Sequence, residues 1–213
     1  VAFYLLVFRR LVGRSVVALL VASIGIAFVV RSTLSFFLGH EQRVFQVPIE
    51  RALNFGEVRI NPIDLRLAAV ALLTLTAVFA ILHLTPAGRR MRAVADNRDL
   101  ARVSGINTER VMMALWLLTG AVCGIAGIIL GLKTVVAPEI GWELLLPCFA
   151  AAILGGIGNP LGAVIAGIVL GVTQELSTPL VGFTYKLALA FFVMLLILLV
   201  RPQGLFGRVE AVR

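Results

Sequence analysis

Charge is what this sequence has least of. Only 14% of its 213 residues are charged, while 60% are hydrophobic and the mean hydropathy is +1.03. A soluble domain carries about 25% charged residues, so a water-soluble globular class is excluded and a polytopic membrane protein is indicated. Cysteine is nearly absent: Cys123 and Cys148 both lie in apolar segments, with no histidine or acid at ligand spacing. That excludes a disulfide framework and a cysteine-based metal centre, and leaves two small packing residues. The chain also lacks an initiating methionine and a signal-peptide pattern, and reads as beginning mid-protein. Gly131-Leu132-Lys133-Thr134 resembles the end of a phosphate-binding loop, but the G-x-x-x-x-G-K-[ST] pattern fails, with Leu132 where the glycine before the lysine is required, and the site falls at a span end, so no nucleotide site is expected.

The charge that is present is unevenly placed. The formal net charge of +8 comes from arginines in loops and at span ends, where the positive-inside rule puts them, rather than from a nucleic-acid surface. Residues 1–13 are apolar apart from Arg9 and Arg10, and Arg14 follows. Apolar runs then predict six spans at about 15–38, 63–85, 111–132, 144–157, 160–176 and 185–200, each judged against the ~20 residues needed to cross hydrocarbon. The expected fold is an all-α membrane protein, one transmembrane helical bundle over 1–213 with short, Gly/Pro-interrupted spans. Arg31 lies inside the first span, either as a functional charge or as one that snorkels or pairs. His83, near the end of the second span, is expected to be a satisfied interfacial residue. A balanced loop at 39–62 contains an extended or hairpin segment around Asn54 and Gly56. Trp142 fits an interfacial aromatic belt, and Glu175 a rim or paired position.

Gly120, Gly124, Gly127 and Gly131 give small-xxx-small spacing in the third span, and Gly167 with Gly171 repeats it later. The segment 144–172, broken by Pro147 and by Gly155, Gly156, Gly158 and Gly162, has two readings: discontinuous helices beside a transport path, or a tight helical hairpin packed on its neighbours. These ten glycines are the helix-packing or pore candidates.

The segment Gly88–Arg110 is the most polar stretch, with Arg89, Arg90, Arg92, Arg98, Arg102 and Arg110 against Asp96, Asp99 and Glu109. A basic loop between spans belongs in the cytoplasm, and with an even span count both ends of the chain fall on that side. A helix is expected to continue from the second span through Ala95. Asp96 is expected to cap a second helix over 97–104, with Asp99 as its capping-box partner and Gly105 as the C′ residue. Asn107 or Thr108 would cap the third span.

Asp99-Leu100-Ala101-x-x-x-Gly105 resembles the E-A-A-x-x-x-G coupling motif of bacterial ATP-binding-cassette permeases. Together with GRRMRAVADNRDLARVSGIN, AAILGGIGNPLGAVIAGIVLG (151–171) and LLVRPQGLFG (198–207), it makes the chain similar to the branched-chain amino acid permease family, from about Arg9 to Gly207. Asp99 and Leu100 depart from the Glu and Ala of the motif, and the family usually carries further N-terminal spans.

The resemblance implies an inner-membrane importer subunit. Its partners would be a second permease chain, two cytoplasmic ATPase subunits that bind the ATP, and a periplasmic binding protein. Arg98, Asp99, Leu100, Ala101, Arg102, Val103 and Gly105 would form the ATPase contact. The chain itself would hold no cofactor, metal or catalytic group. Branched-chain amino acids are the expected substrate, with urea, short amides or other amino acids as alternatives. The rival classes are a structural membrane protein, an unpowered channel, and a secondary transporter, which would be expected to place more mid-membrane charge than Arg31.

Overall fold

The computed structural model describes residues 2–11, 16–45, 53–55, 58–156, 158–182, 185–201 and 204–207. Arg14 and Gly56, and Pro202 of the closing segment quoted above, lie outside the described residues. The fold is helical, and among the described residues four helices are long and apolar enough to cross a bilayer: Val17–Leu38, Pro62–Leu84, Thr108–Lys133 and Pro160–Pro179. The chain is a polytopic all-α membrane protein. The two other expected spans are shorter, α8 (Leu145–Gly155) and α10 (Lys186–Val200), of 11 and 15 residues. At 1.5 Å per residue neither reaches the ~30 Å of a hydrocarbon core.

Two compact units divide the chain, Val1–Pro138 and Glu139–Arg213. In the first, a helical N-terminal segment ends in α1 (Arg9–Leu11) and is followed by α2 (Val16–Leu38). Tyr4 is buried, and Tyr4 and Phe8 pack on Trp116 with ring centroids 6.0 and 4.9 Å away. The expected hairpin is present: β1 (Leu53–Phe55) and β2 (Val58–Ile60) pair antiparallel with Asn54 opposite Arg59.

Next, α3 (Pro62–Leu84) opens on an Asn61 cap with Pro62 at its first position, where a missing N–H costs nothing. It runs beside α6 (Thr108–Lys133), and Asp64 at the start of α3 meets Lys133 at the end of α6, 3.4 Å apart. These two spans are therefore antiparallel neighbours, and the polar segment between them joins their opposite ends.

In the second unit, α7 (Ile140–Glu143) leads into α8, which folds back against α9 (Pro160–Val181). Ala150, Leu154, Ala166 and Leu170 form the buried seam, with Phe191, Met194 and Ile197 of α10 packed over it. Within 144–172 the two helices pack against each other as a hairpin. A side chain at Gly155 would strike the Gly162 and Ala163 backbone, and one at Gly162 would strike the Gly155 carbonyl, so glycine at both positions is what lets the helices meet.

The closing segment caps this turn. Gly156 (φ +96°) and Gly204 (φ +77°) adopt left-handed backbone conformations, and a Cβ on Gly156 would lie 2.5 Å from the Gly207 nitrogen. Leu205 N–H donates to the Leu154 carbonyl at 2.7 Å, taking up a C-terminal carbonyl of α8. Helix α9 extends past the expected end at 176 and contains Pro179. The hydroxyls of Ser177 and Thr178 both donate to the Gln174 carbonyl in that turn, and Gly182 ends the helix.

Candidate functional site

The polar segment between α3 and α6 folds as two short helices rather than as an extension of the span. Thr85 (ψ 154°) breaks the helical path after Leu84, and its Oγ1 accepts from Gly88 N–H at 3.1 Å, capping α4 (Pro86–Asp96). Gly88 is the pivot. A Cβ there would collide with the Ile81 and Leu82 carbonyls, so only glycine lets α4 lie this close to the end of α3. The sequence signal for this role is the T-P-x-G string at 85–88, a cap, an N1 proline and a glycine in one turn.

Helix α5 (Arg98–Val103) is capped by Asn97, whose Oδ1 accepts from Asp99 N–H at 3.1 Å and Leu100 N–H at 2.9 Å. This corrects the expected cap: Asp96 is still the last residue of α4, and the break falls one residue later, at Asn97 (φ −153°, ψ 109°). The Asp96–Asp99 capping box is therefore not formed. The other end is as expected. Gly105 (φ +81°) follows the helix, its N–H donates to the Arg102 carbonyl, and Ile106 N–H reaches the Ala101 carbonyl, both at 3.0 Å. This 5→2 and 6→1 pair is a Schellman C-terminus. Asn107 then caps α6 through Arg110 N–H at 3.1 Å.

Burial separates two faces. Met91, Val94, Ala101 and Val111 form one cluster, with Leu82 and Ile106 packed against it. Ala101 is only 4% exposed, whereas its neighbours Leu100 and Val103 are 64% and 86% exposed. Asp99, Arg102 and Gly105 are also exposed, and Arg98 is half-buried. The helix is thus anchored from beneath by Ala101 and offers two uncovered apolar side chains ringed by charge.

His83 is satisfied as expected: Arg92 Nη1 lies 3.0 Å from its Nδ1, and Phe79 stacks on its ring. Arginine has no acceptor, so the imidazole nitrogen accepts. Arg9 pairs with Glu109 at 3.0 Å, tying the N-terminal segment to the start of α6.

The glycine candidates divide. Gly155 and Gly162 are in close backbone contact within the hairpin, Gly156 meets the Phe206–Gly207 backbone, and Gly167 faces Ala151. Gly131 touches Val136 and Phe45 side chains. A Cβ at Gly120, Gly124, Gly127, Gly158 or Gly171 would meet nothing within 4 Å. Cys123 and Cys148 are exposed free thiols, so neither packs inside this chain as expected. Among the described residues no cluster of three metal-ligating side chains occurs.

A family model described as branched-chain amino acid transport system / permease component matches residues 1–200. The high-affinity branched-chain amino acid transport system permease protein LivH of Escherichia coli (strain K12) is 37% identical over 142 residues, 66% of this chain and 46% of that protein. The permease protein BraD of the corresponding system in Pseudomonas aeruginosa is 27% identical over 209 residues, 95% of this chain and 68% of that protein. A probable branched-chain amino acid transport permease of Methanocaldococcus jannaschii is 32% identical over 145 residues, 65% of this chain and 46% of that protein. The chain thus spans about half the length of the first of these relatives. No solved structure matches it.

Proposed function

This chain belongs to the branched-chain amino acid transport permease family, and on that premise we propose that it is the membrane-spanning subunit of an ATP-driven importer for branched-chain amino acids. It resides in the bacterial inner membrane with the segment 86–107 in the cytoplasm. It works beside a second permease chain, above two ATPase subunits that bind and hydrolyse ATP, and receives ligand from a periplasmic binding protein. The observation that carries this reading is the exposure of Leu100 and Val103 on a helix otherwise fixed from beneath. Two adjacent apolar side chains with a polar rim are the anatomy of a small protein-docking patch, and a helix laid in a partner's groove is a standard mode of recognition.

In this mechanism Arg98–Gly105 sits in a groove of the ATPase, with Leu100 and Val103 as anchors and Arg98, Asp99 and Arg102 at the rim. Closure of the ATPase pair on ATP moves the helix. Because α5 shares a core with α4 and Val111 of α6, that motion passes to the span by packing alone. The uncovered glycines of α6 provide a close-approach face for the second permease chain or for pore-lining helices. The apolar spans suit an aliphatic side chain in transit.

The test replaces Leu100 and Val103 together by serine in the assembled importer. Since neither side chain is buried, insertion and folding stay normal. Loss of two apolar anchors costs on the order of 2 kcal/mol or more in docking, read as at least a tenfold fall in ATPase co-purification and in leucine-stimulated ATP hydrolysis in proteoliposomes. Unchanged uptake by this variant removes the coupling role from α5. Full coupling with urea or a short amide in place of leucine reassigns the substrate and leaves the coupling role intact.

A further inference from the structure

The docking helix leaves unexplained the more basic of the two helices in the segment. Helix α4 exposes Arg89, Arg90 and Arg92, while Gly88, Met91 and Val94 are buried. At 100° per residue the three arginines fall on the face opposite those buried residues. Asp96 is the one acid on that outer face, and among the described residues Arg89 and Arg90 form no ion pair.

The height of this face is fixed by a hydrogen bond. Arg92 reaches back 3.0 Å to His83, which lies in the last turn of the spanning helix α3. The guanidinium is therefore held at the end of the hydrocarbon layer, where lipid phosphates begin. The face also lacks what a protein partner needs. Its helix has already spent its large apolar side chains, Met91 and Val94, on the chain's own core, so no apolar centre remains for an interface. Guanidinium groups spread over one helix face at headgroup level match phosphate oxygens, which they engage with paired N–H donors.

We propose that Arg89, Arg90 and Arg92 form a binding face for anionic phospholipid headgroups of the surrounding bilayer. The adjoining helices then divide the work: α4 holds the segment to the membrane surface, and α5 faces outward. A clamp of this kind would give the outward helix a fixed base to move against. The inference depends on the chain spanning a membrane and not on the importer reading.

The experiment is native mass spectrometry of the purified chain in detergent with equimolar phosphatidylglycerol and phosphatidylcholine of matched acyl chains. Near a charged membrane surface each arginine is worth about fivefold in affinity, so a preference of about tenfold or more for phosphatidylglycerol is expected. In R89Q/R90Q/R92Q it falls below about twofold, whereas R98Q/R102Q on α5 retains it. Raising ionic strength with the unaltered chain weakens the preference and keeps the test decisive even where the triple variant fails to fold. Equal retention of the two lipids, a preference insensitive to salt, or an unaltered preference in a folded triple variant overturns the proposal. So does loss of ATPase subunits from a triple variant whose lipid preference is intact, which would give the face to a protein partner.

Discussion

Gly88 and Gly120 are both helical glycines, yet a single methyl group should move stability in opposite directions at the two sites. A Cβ at Gly88 would occupy the space of the Ile81 and Leu82 carbonyls, and backbone is what must yield. Gly88→Ala is expected to cost roughly 1–3 kcal/mol, the range for overpacking a tight contact, seen as a lowered melting temperature in detergent. At Gly120 nothing lies within 4 Å, so alanine gains helix propensity and should add about 0.5–1 kcal/mol to the isolated chain. If the α6 face meets a second permease chain, the same Gly120→Ala weakens that association while raising monomer stability. A melting temperature raised by Gly88→Ala, or lowered by Gly120→Ala, would show that these contacts are misassigned. Asn97 makes a third residue-scale case. Its amide oxygen holds two N–H groups of α5, and Asn97→Ala should cost about 1 kcal/mol, local to that helix. Hydrogen exchange at residues 98–104 should then rise about fivefold, with exchange in α6 unchanged.

At the scale of elements, the N-terminal segment is held to α6 by two kinds of contact of unequal worth. The Arg9–Glu109 pair is half exposed on both sides, and such pairs contribute about 0.2–1 kcal/mol. The Tyr4–Trp116–Phe8 cluster buries a tyrosine and two ring contacts, each worth about 0.5–1.5 kcal/mol beyond area. Trp116→Ala should therefore release the segment to proteolysis where Glu109→Gln does not, and the reverse order would show that charge rather than ring packing holds it.

The same contrast explains what was legible in the sequence. The long spans, the Asn107 cap, the Gly105 terminus and the β1–β2 hairpin are written in signals a few residues apart. The cap at Asn97 was missed because Asp96 and Asn97 are both good caps, and neighbouring packing, not local preference, decides between them. The contact of Gly156 with Gly207 joins residues far apart in the chain, and no local signal announces it. A Cβ at Gly120, Gly124 or Gly127 of α6 would meet nothing within 4 Å, whereas one at Gly155, Gly156 or Gly162 would meet backbone, and nothing in the local sequence separates the two groups. Spacing shows that a close approach is possible and not what approaches.

At the scale of the molecule, the distribution of charge predicts how the first unit lies in the membrane. Asp64 and Lys133 meet at one end of the α3–α6 pair, while the arginine-rich helices α4 and α5 join the other end. One acid and one base cancel at the first end. At the second, the segment Gly88–Arg110 carries six arginines against three acids. The asymmetry, not the total charge, sets orientation. Arg102 should therefore be cytoplasmic and Lys133 external. Both native thiols are exposed, so the measurement starts from Cys123→Ser with Cys148→Ser and adds a single cysteine at Arg102 or at Lys133. A membrane-impermeant maleimide applied to intact cells should label Lys133→Cys only. Inverted membrane vesicles should give Arg102→Cys only. The opposite pattern would place α5 on the face away from any cytoplasmic ATPase. That would end the coupling proposal, while the lipid face of α4, which needs only a headgroup layer beside it, would stand in either leaflet.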